Sequence, residues 1–155
     1  MGDVYSKLNN SDSAIILYNN AVTLAQKEKY TTLASSINLS LAELHLFNHE
    51  YSKAYYHLNS MKNFIPKEDS ISEANTYALL YYQLNNIDST IFYCKKLIKS
   101  KNLNTQLNGY NILANLHMHN NQTKDAYDAI VMSTRLSDSI RKINTPYEIR
   151  QLSSI

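Results

Sequence analysis

Glycine, proline and cysteine are nearly missing from this sequence. Two glycines and two prolines in 155 residues leave too few turn residues for an all-β chain, so long helices are favoured. One cysteine, Cys94, excludes an internal disulfide and any multi-cysteine metal site, without fixing the compartment. Charge is sparse: 18% of residues are charged, with a net charge of +2. The lysines are scattered rather than gathered on one face, which is not the footprint of a nucleic-acid surface. The densest group, KKLIKSK from Lys95 to Lys101, reads as a solvated helix end whose cations meet the C-terminal dipole. The longest apolar run, YALLYY from Tyr77 to Tyr82, is far short of the ~20 residues that span a bilayer. Met1 is followed by GDVYSKL, with neither the basic start nor the apolar stretch of a secretory leader.

What is there is a folding composition, 44% apolar, with a surplus of 19 asparagines and 13 tyrosines. Asparagine suits helix ends and turns, and tyrosine supplies large apolar area with a polar tip. The sequence also repeats itself. KLNNSDSA (Lys7 to Ala14) returns as QLNNIDST (Gln83 to Thr90), 76 residues on, and more loosely as MHNNQTKDA (Met118 to Ala126). Small residues Gly2, Ala42, Ala78 and Ala114 begin four copies, 40, 36 and 36 residues apart. Three residues after each stands a ring: Tyr5, His45, Tyr81 and His117. Twelve after each stand Ala14, Ala54, Thr90 and Ala126. Four further on come Tyr18, Leu58, Cys94 and Ile130, then Ala21, Met61, Leu97 and Ser133. Apolar residues at i, i+3, i+4 and i+7 make a helical stripe. Each copy holds two stripes joined by a polar turn: LNN, FNHE, LNN and HNNQ. The reading is a helix–turn–helix hairpin written four times, its small residues letting the two helices approach.

This pattern resembles the tetratricopeptide repeat. The L-A-x-x-H of Leu41 to His45, followed by Ala54, Leu58, Met61 and Pro66, is the most complete copy. The last copy reads Tyr110, Leu113, Ala114, His117 and Ala126. The departures are Asn38 and Ala74 in the family's first aromatic slot, Thr90 for alanine, and a closing proline in one copy only. The resemblance implies an all-α fold: a right-handed superhelical solenoid of antiparallel helix pairs, with repeats near 1–28, 31–66, 69–102 and 105–139. SISE (Ser70 to Glu73) is a capping box opening a helix. TPYE (Thr145 to Glu148) predicts another start, with Pro146 at the first position of a truncated capping helix over 145–155. A solenoid needs polar caps at both ends, so the sequence is expected to be part of a longer array.

Chemistry is hard to find. His45 and His117 fall in the ring slot facing the hairpin interior, where packing is the expected role. His117 and His119 are two apart, on opposite sides of a helix. His45 and His49 have chelating spacing, but His49 falls in a turn and no cysteine or aspartate set accompanies them. Cys94 takes an apolar slot and reads as a small buried hydrophobe rather than an activated thiol. No glycine-rich phosphate loop or Ser/His/Asp arrangement is present, and Asp12, Asp69, Asp88, Asp125 and Asp138 sit where helix capping explains them. No catalytic residue, cofactor or metal is expected, and the chain does not read as an enzyme.

Helical arrays of this kind present an extended groove that holds peptides or proteins. The resemblance implies a groove lined by the first helix of each pair, on the side away from the packing stripe. That side predicts Glu43, Leu46 and Phe47; then Asn75, Leu79, Tyr82 and Gln83; then Asn111, Asn115, Met118 and His119. It is a surface of amides, rings and one carboxylate. It lacks the lysine and arginine set with which chaperone-binding relatives clamp a peptide's terminal carboxylates. The tail from Arg135 to Ile155 is similar to the exit of tetratricopeptide sensor regions in bacterial membrane-anchored transcriptional regulators or kinases. That likeness implies an extracytoplasmic (periplasmic) sensing or oligomerisation module, with copies meeting through the array ends. The alternatives are a cytoplasmic peptide-responsive regulator and a plain scaffold or adaptor.

Overall fold

A computed structural model of the chain describes residues 11–61 and 71–152. Gly2, Tyr5, the first LNN, Pro66 and Ser70 lie outside the described residues. Among those described the structure is entirely helical: α1 (Ser11–Lys27), α2 (Thr31–Phe47), α3 (Tyr51–Met61), α4 (Ile71–Gln83), α5 (Ile87–Ile98), α6 (Leu103–His119) and α7 (Thr123–Leu152). The chain forms two compact units, residues 1–80 and 81–155. In the first, α1 packs on α2 and α2 on α3; in the second, α5 packs on α6 and α6 on α7.

Four of the connectors are built alike. Lys29, His49, Asn85 and Asn121 hold φ of 59°, 60°, 54° and 57°, the left-handed region that asparagine tolerates best after glycine. The N–H after each reaches back five residues: Tyr30 to Ala25, Glu50 to His45, Asn86 to Tyr81 and Gln122 to His117, at 2.8–2.9 Å. The left-handed residue itself donates to the carbonyl three back. These two bonds form the Schellman motif, which satisfies carbonyls left open at a helix end. The carbonyl after the left-handed residue then opens the next helix, accepting from Ala34, Ala54, Thr90 and Ala126 at 2.9–3.0 Å. One backbone device thus ends a helix and begins the next within three residues. His49, Asn85 and Asn121 are 36 residues apart, matching the spacing read from the sequence.

The ring slot recurs on the same spacing. His45 stacks on His57 with centroids 5.3 Å apart and planes within 9°. Thirty-six residues on, Tyr81 stacks on Tyr93 at 5.7 Å and 12°. The small residues are buried as their slots require: Ala14, Ala42, Ala54, Ala78 and Thr90 are all 0% exposed. Leu41, Leu58 and Met61 fill the first unit's interior and Cys94, Leu97 and Leu116 the second's. Each large aliphatic side chain among them contributes roughly 1.5–3 kcal/mol by leaving water. Gly109, inside α6, marks the tightest approach. A Cβ there would lie 3.0 Å from Leu97 Cβ and 3.2 Å from the Cys94 carbonyl oxygen.

Two expectations fail. TPYE does not start a helix: α7 runs unbroken from Thr123 to Leu152. Between Thr123 and Thr145 there is no glycine, and among the described residues no left-handed backbone follows Asn121, so nothing turns the chain out of the helix before Pro146. Ile130 does not share the burial of its counterparts Leu58 and Cys94; it is 42% exposed. The lysine group behaves as read: Lys95 and Lys96 occupy the last turn of α5, and Lys96 lies over the Phe92 ring at 5.1 Å.

Candidate partner-binding faces

In the first unit the predicted lining residues sit on α2 and α4. Glu43 and Phe47 are exposed, and Leu46, Asn75 and Leu79 are half-buried. None belongs to the core. The two helices meet here: the Thr76 hydroxyl, itself buried, donates to Glu43 Oε1 at 3.3 Å. This bond places Glu43 beside α4, with Leu46 and Phe47 one turn further along α2. Packing around the Glu43 carboxyl raises its pKa, and the bond from Thr76 pulls more weakly the other way.

In the second unit Tyr82 and Gln83 close α4, Tyr82 half-buried and Gln83 exposed. Asn111, Asn115, Met118 and His119 form an exposed row along α6, at the helical spacing of one face. Met118 is 60% exposed. Of the predicted lining residues, Glu43, Phe47, Gln83, Asn111, Asn115, Met118 and His119 are exposed, and Leu46, Asn75, Leu79 and Tyr82 are half-buried.

The histidines are accounted for otherwise. His45 is buried, and its Nδ1–H donates to Glu50 Oε2 at 2.6 Å across the α2–α3 turn. Lys53 donates to the other carboxylate oxygen at 2.6 Å. These two bonds, Lys53 first, hold the Glu50 carboxyl below its ordinary pKa. His117 repeats the latch, its Nδ1–H donating to Gln122 Oε1 at 2.6 Å. His49 points elsewhere, its Nδ1 3.1 Å from the Tyr51 hydroxyl, so it does not converge with His45 on a common ligand. Among the described residues no three His, Cys, Asp or Glu side chains gather as a metal-binding group. Cys94 is fully buried, and burial pushes its thiol up to about 12.

Sequence reasoning missed His57. It is buried against His45, and its Nδ1–H donates to Asn38 Oδ1 at 3.0 Å. The Asn38 amide nitrogen donates in turn to the Ala34 carbonyl at 2.8 Å. A signal was available: Asn38 stands where the repeat pattern has an aromatic residue, and a buried amide there needs a polar partner. Burial, and next the nearby His45, lower the His57 pKa to about 4, so the ring is neutral at pH 7.

No family model, curated protein or solved structure matches this chain. No helix among the described residues is long and apolar enough to cross a membrane.

Proposed function

We propose that this chain is a tetratricopeptide-like helical array that holds a protein or peptide partner and performs no catalysis. The observation that carries the reading is the recurrence, 36 residues apart, of the Schellman turn together with the stacked ring pair. Repeated hairpins of this kind stack into a right-handed solenoid whose first helices line a groove. The exposed amides of Asn111 and Asn115 and the ring of Tyr82 suit the backbone of an extended peptide, which offers unpaired N–H and C=O groups along its length.

Selection from a displayed random-peptide library tests it. Peptides should be enriched on the chain, and Tyr82→Ala combined with Asn115→Ala should weaken the enriched peptides while leaving helicity and Tm nearly unchanged. Failure to enrich any peptide, or full affinity in the double variant, refutes the groove.

A narrower reading, as the sensor or oligomerisation region of a bacterial signalling regulator, draws support from α7. At 30 residues it is far longer than α6, at 17, on which it packs. Sequencing the reading frame past Ile155 tests this. An apolar span of ~20 residues followed by an output domain is expected, and a frame without either removes the idea.

A further inference from the structure

We propose that the α2–α4 face of the first unit receives a cationic group of the partner, a lysine, arginine or terminal amine flanked by apolar side chains, with the Glu43 carboxylate as its counter-ion. The proposal rests on the partner-binding reading and gives that partner its chemistry.

The first observation is one of charge. Neither α2 nor α4 contains a lysine or arginine; each contains one glutamate, Glu43 and Glu73. In a chain of net charge +2, the lysines and arginines lie outside this pair of helices, and Glu43 makes this face negative. A face of that sign attracts cations and repels acidic peptides.

The second is the state of Glu43. Its carboxylate is shaded by packing yet meets no cation among the described residues; one oxygen takes the Thr76 hydroxyl. The other oxygen is left for a ligand. A partly desolvated, unpaired carboxylate is held at a disadvantage that an arriving ammonium or guanidinium relieves.

The third is the surround. Phe47 is one turn from Glu43 and 72% exposed, and two leucines are half-buried, Leu46 one turn along α2 from Glu43 and Leu79 one turn along α4 from Thr76. An apolar wall next to a carboxylate fits a lysine or arginine side chain, whose stem covers hydrocarbon while its head reaches the charge. The Phe47 ring adds a cation–π surface.

The test uses the same displayed random-peptide library against the chain, Glu43→Gln and Glu43→Lys. Glutamine keeps an oxygen for Thr76, so the fold should hold, and circular-dichroism melts check that it does. Enriched peptides should carry Lys, Arg or a free amine beside apolar residues. A synthetic copy of one should bind Glu43→Gln about tenfold more weakly, with affinity falling as salt rises. Glu43→Lys should select acidic peptides instead. Enriched peptides without a cation, or equal affinity for Glu43→Gln, overturn this inference and leave the partner-binding reading standing. No enrichment on any variant removes both.

Discussion

Acid should loosen the α2–α3 hairpin through His57. The ring is buried, stacked on His45 and bonded to Asn38, and its pKa is lowered to about 4 from an ordinary 6.5. The unfolded chain therefore binds a proton on this residue at a higher pH than the folded chain does. Stability from the neutral ring is full above pH 6.5 and falls as pH drops from about 6.5 to about 4. At 1.36 kcal/mol per pH unit, that window corresponds to roughly 3 kcal/mol. The charged neighbours act differently. Glu50, held low by Lys53 and His45, loses its contribution only below the ordinary carboxylate pKa of 4.5, under most of the His57 window. The Lys53 ammonium keeps its charge throughout. Amide exchange of peptides from α2 and α3, at pH 7 and pH 5, reads the local opening. The parent should lose protection in acid beyond the intrinsic rate change, and His57→Gln, which still donates to Asn38, should lose much less. Equal losses in parent and variant would refute the assignment of the effect to His57.

Other expectations follow from the packing. Gly109→Ala gains about 0.5–1 kcal/mol of helix propensity, but its Cβ meets Leu97 Cβ at 3.0 Å and a backbone carbonyl at 3.2 Å. Overpacking should prevail, with a net loss of about 1 kcal/mol in urea unfolding; a stabilised variant would show that α5 gives way. Asn85→Gly should be neutral or stabilising and Asn85→Val should cost roughly 1–2 kcal/mol, because φ is 54° there. Equal unfolding midpoints for the two would contradict the turn geometry. Cys94 should resist a thiol reagent at pH 8 until denaturant is added, since it is 0% exposed and its thiol titrates near 12; prompt labelling of the folded chain would refute that burial. Ala54→Leu, at a fully buried position, should overpack α2 against α3 and lower stability by about 1–3 kcal/mol, and an unchanged Tm would contradict the packing.

Helices and hairpin spacing were readable because they rest on periodicity and small residues. Ala42, Ala54, Ala78 and Thr90 had to be small wherever two helices cross, and all are fully buried. The cross-helix polar partners were not readable. Nothing local to Asn38 says that its amide meets a histidine 19 residues later, and Glu43 and Thr76 are 33 apart. Such pairs depend on how one helix lies against another, which no sequence period encodes. The end of α7 was misread for the opposite reason. TPYE is a valid local start signal, but a start signal inside a helix has no effect unless something first ends that helix.

The turns show how one backbone geometry recurs within this chain under different letters. The Schellman device uses only backbone N–H and C=O groups, so its left-handed position can hold Lys29, His49, Asn85 or Asn121. The lysine and histidine carry a steric cost of roughly 1–2 kcal/mol that asparagine largely avoids. Two backbone bonds and a buried small residue at the next helix start offset it. These sites therefore constrain the conformation more than the side chain. The side chain is left free for local use: His49 turns to the Tyr51 hydroxyl, while the neighbouring Asn86 caps α5 by accepting from the Ser89 N–H at 3.0 Å. The ring slot follows the same logic with a different currency of contact, since His45 with His57 and Tyr81 with Tyr93 both satisfy a requirement for two flat surfaces in parallel. The first pair is also bonded to a buried amide, with the His57 ring donating to Asn38 Oδ1.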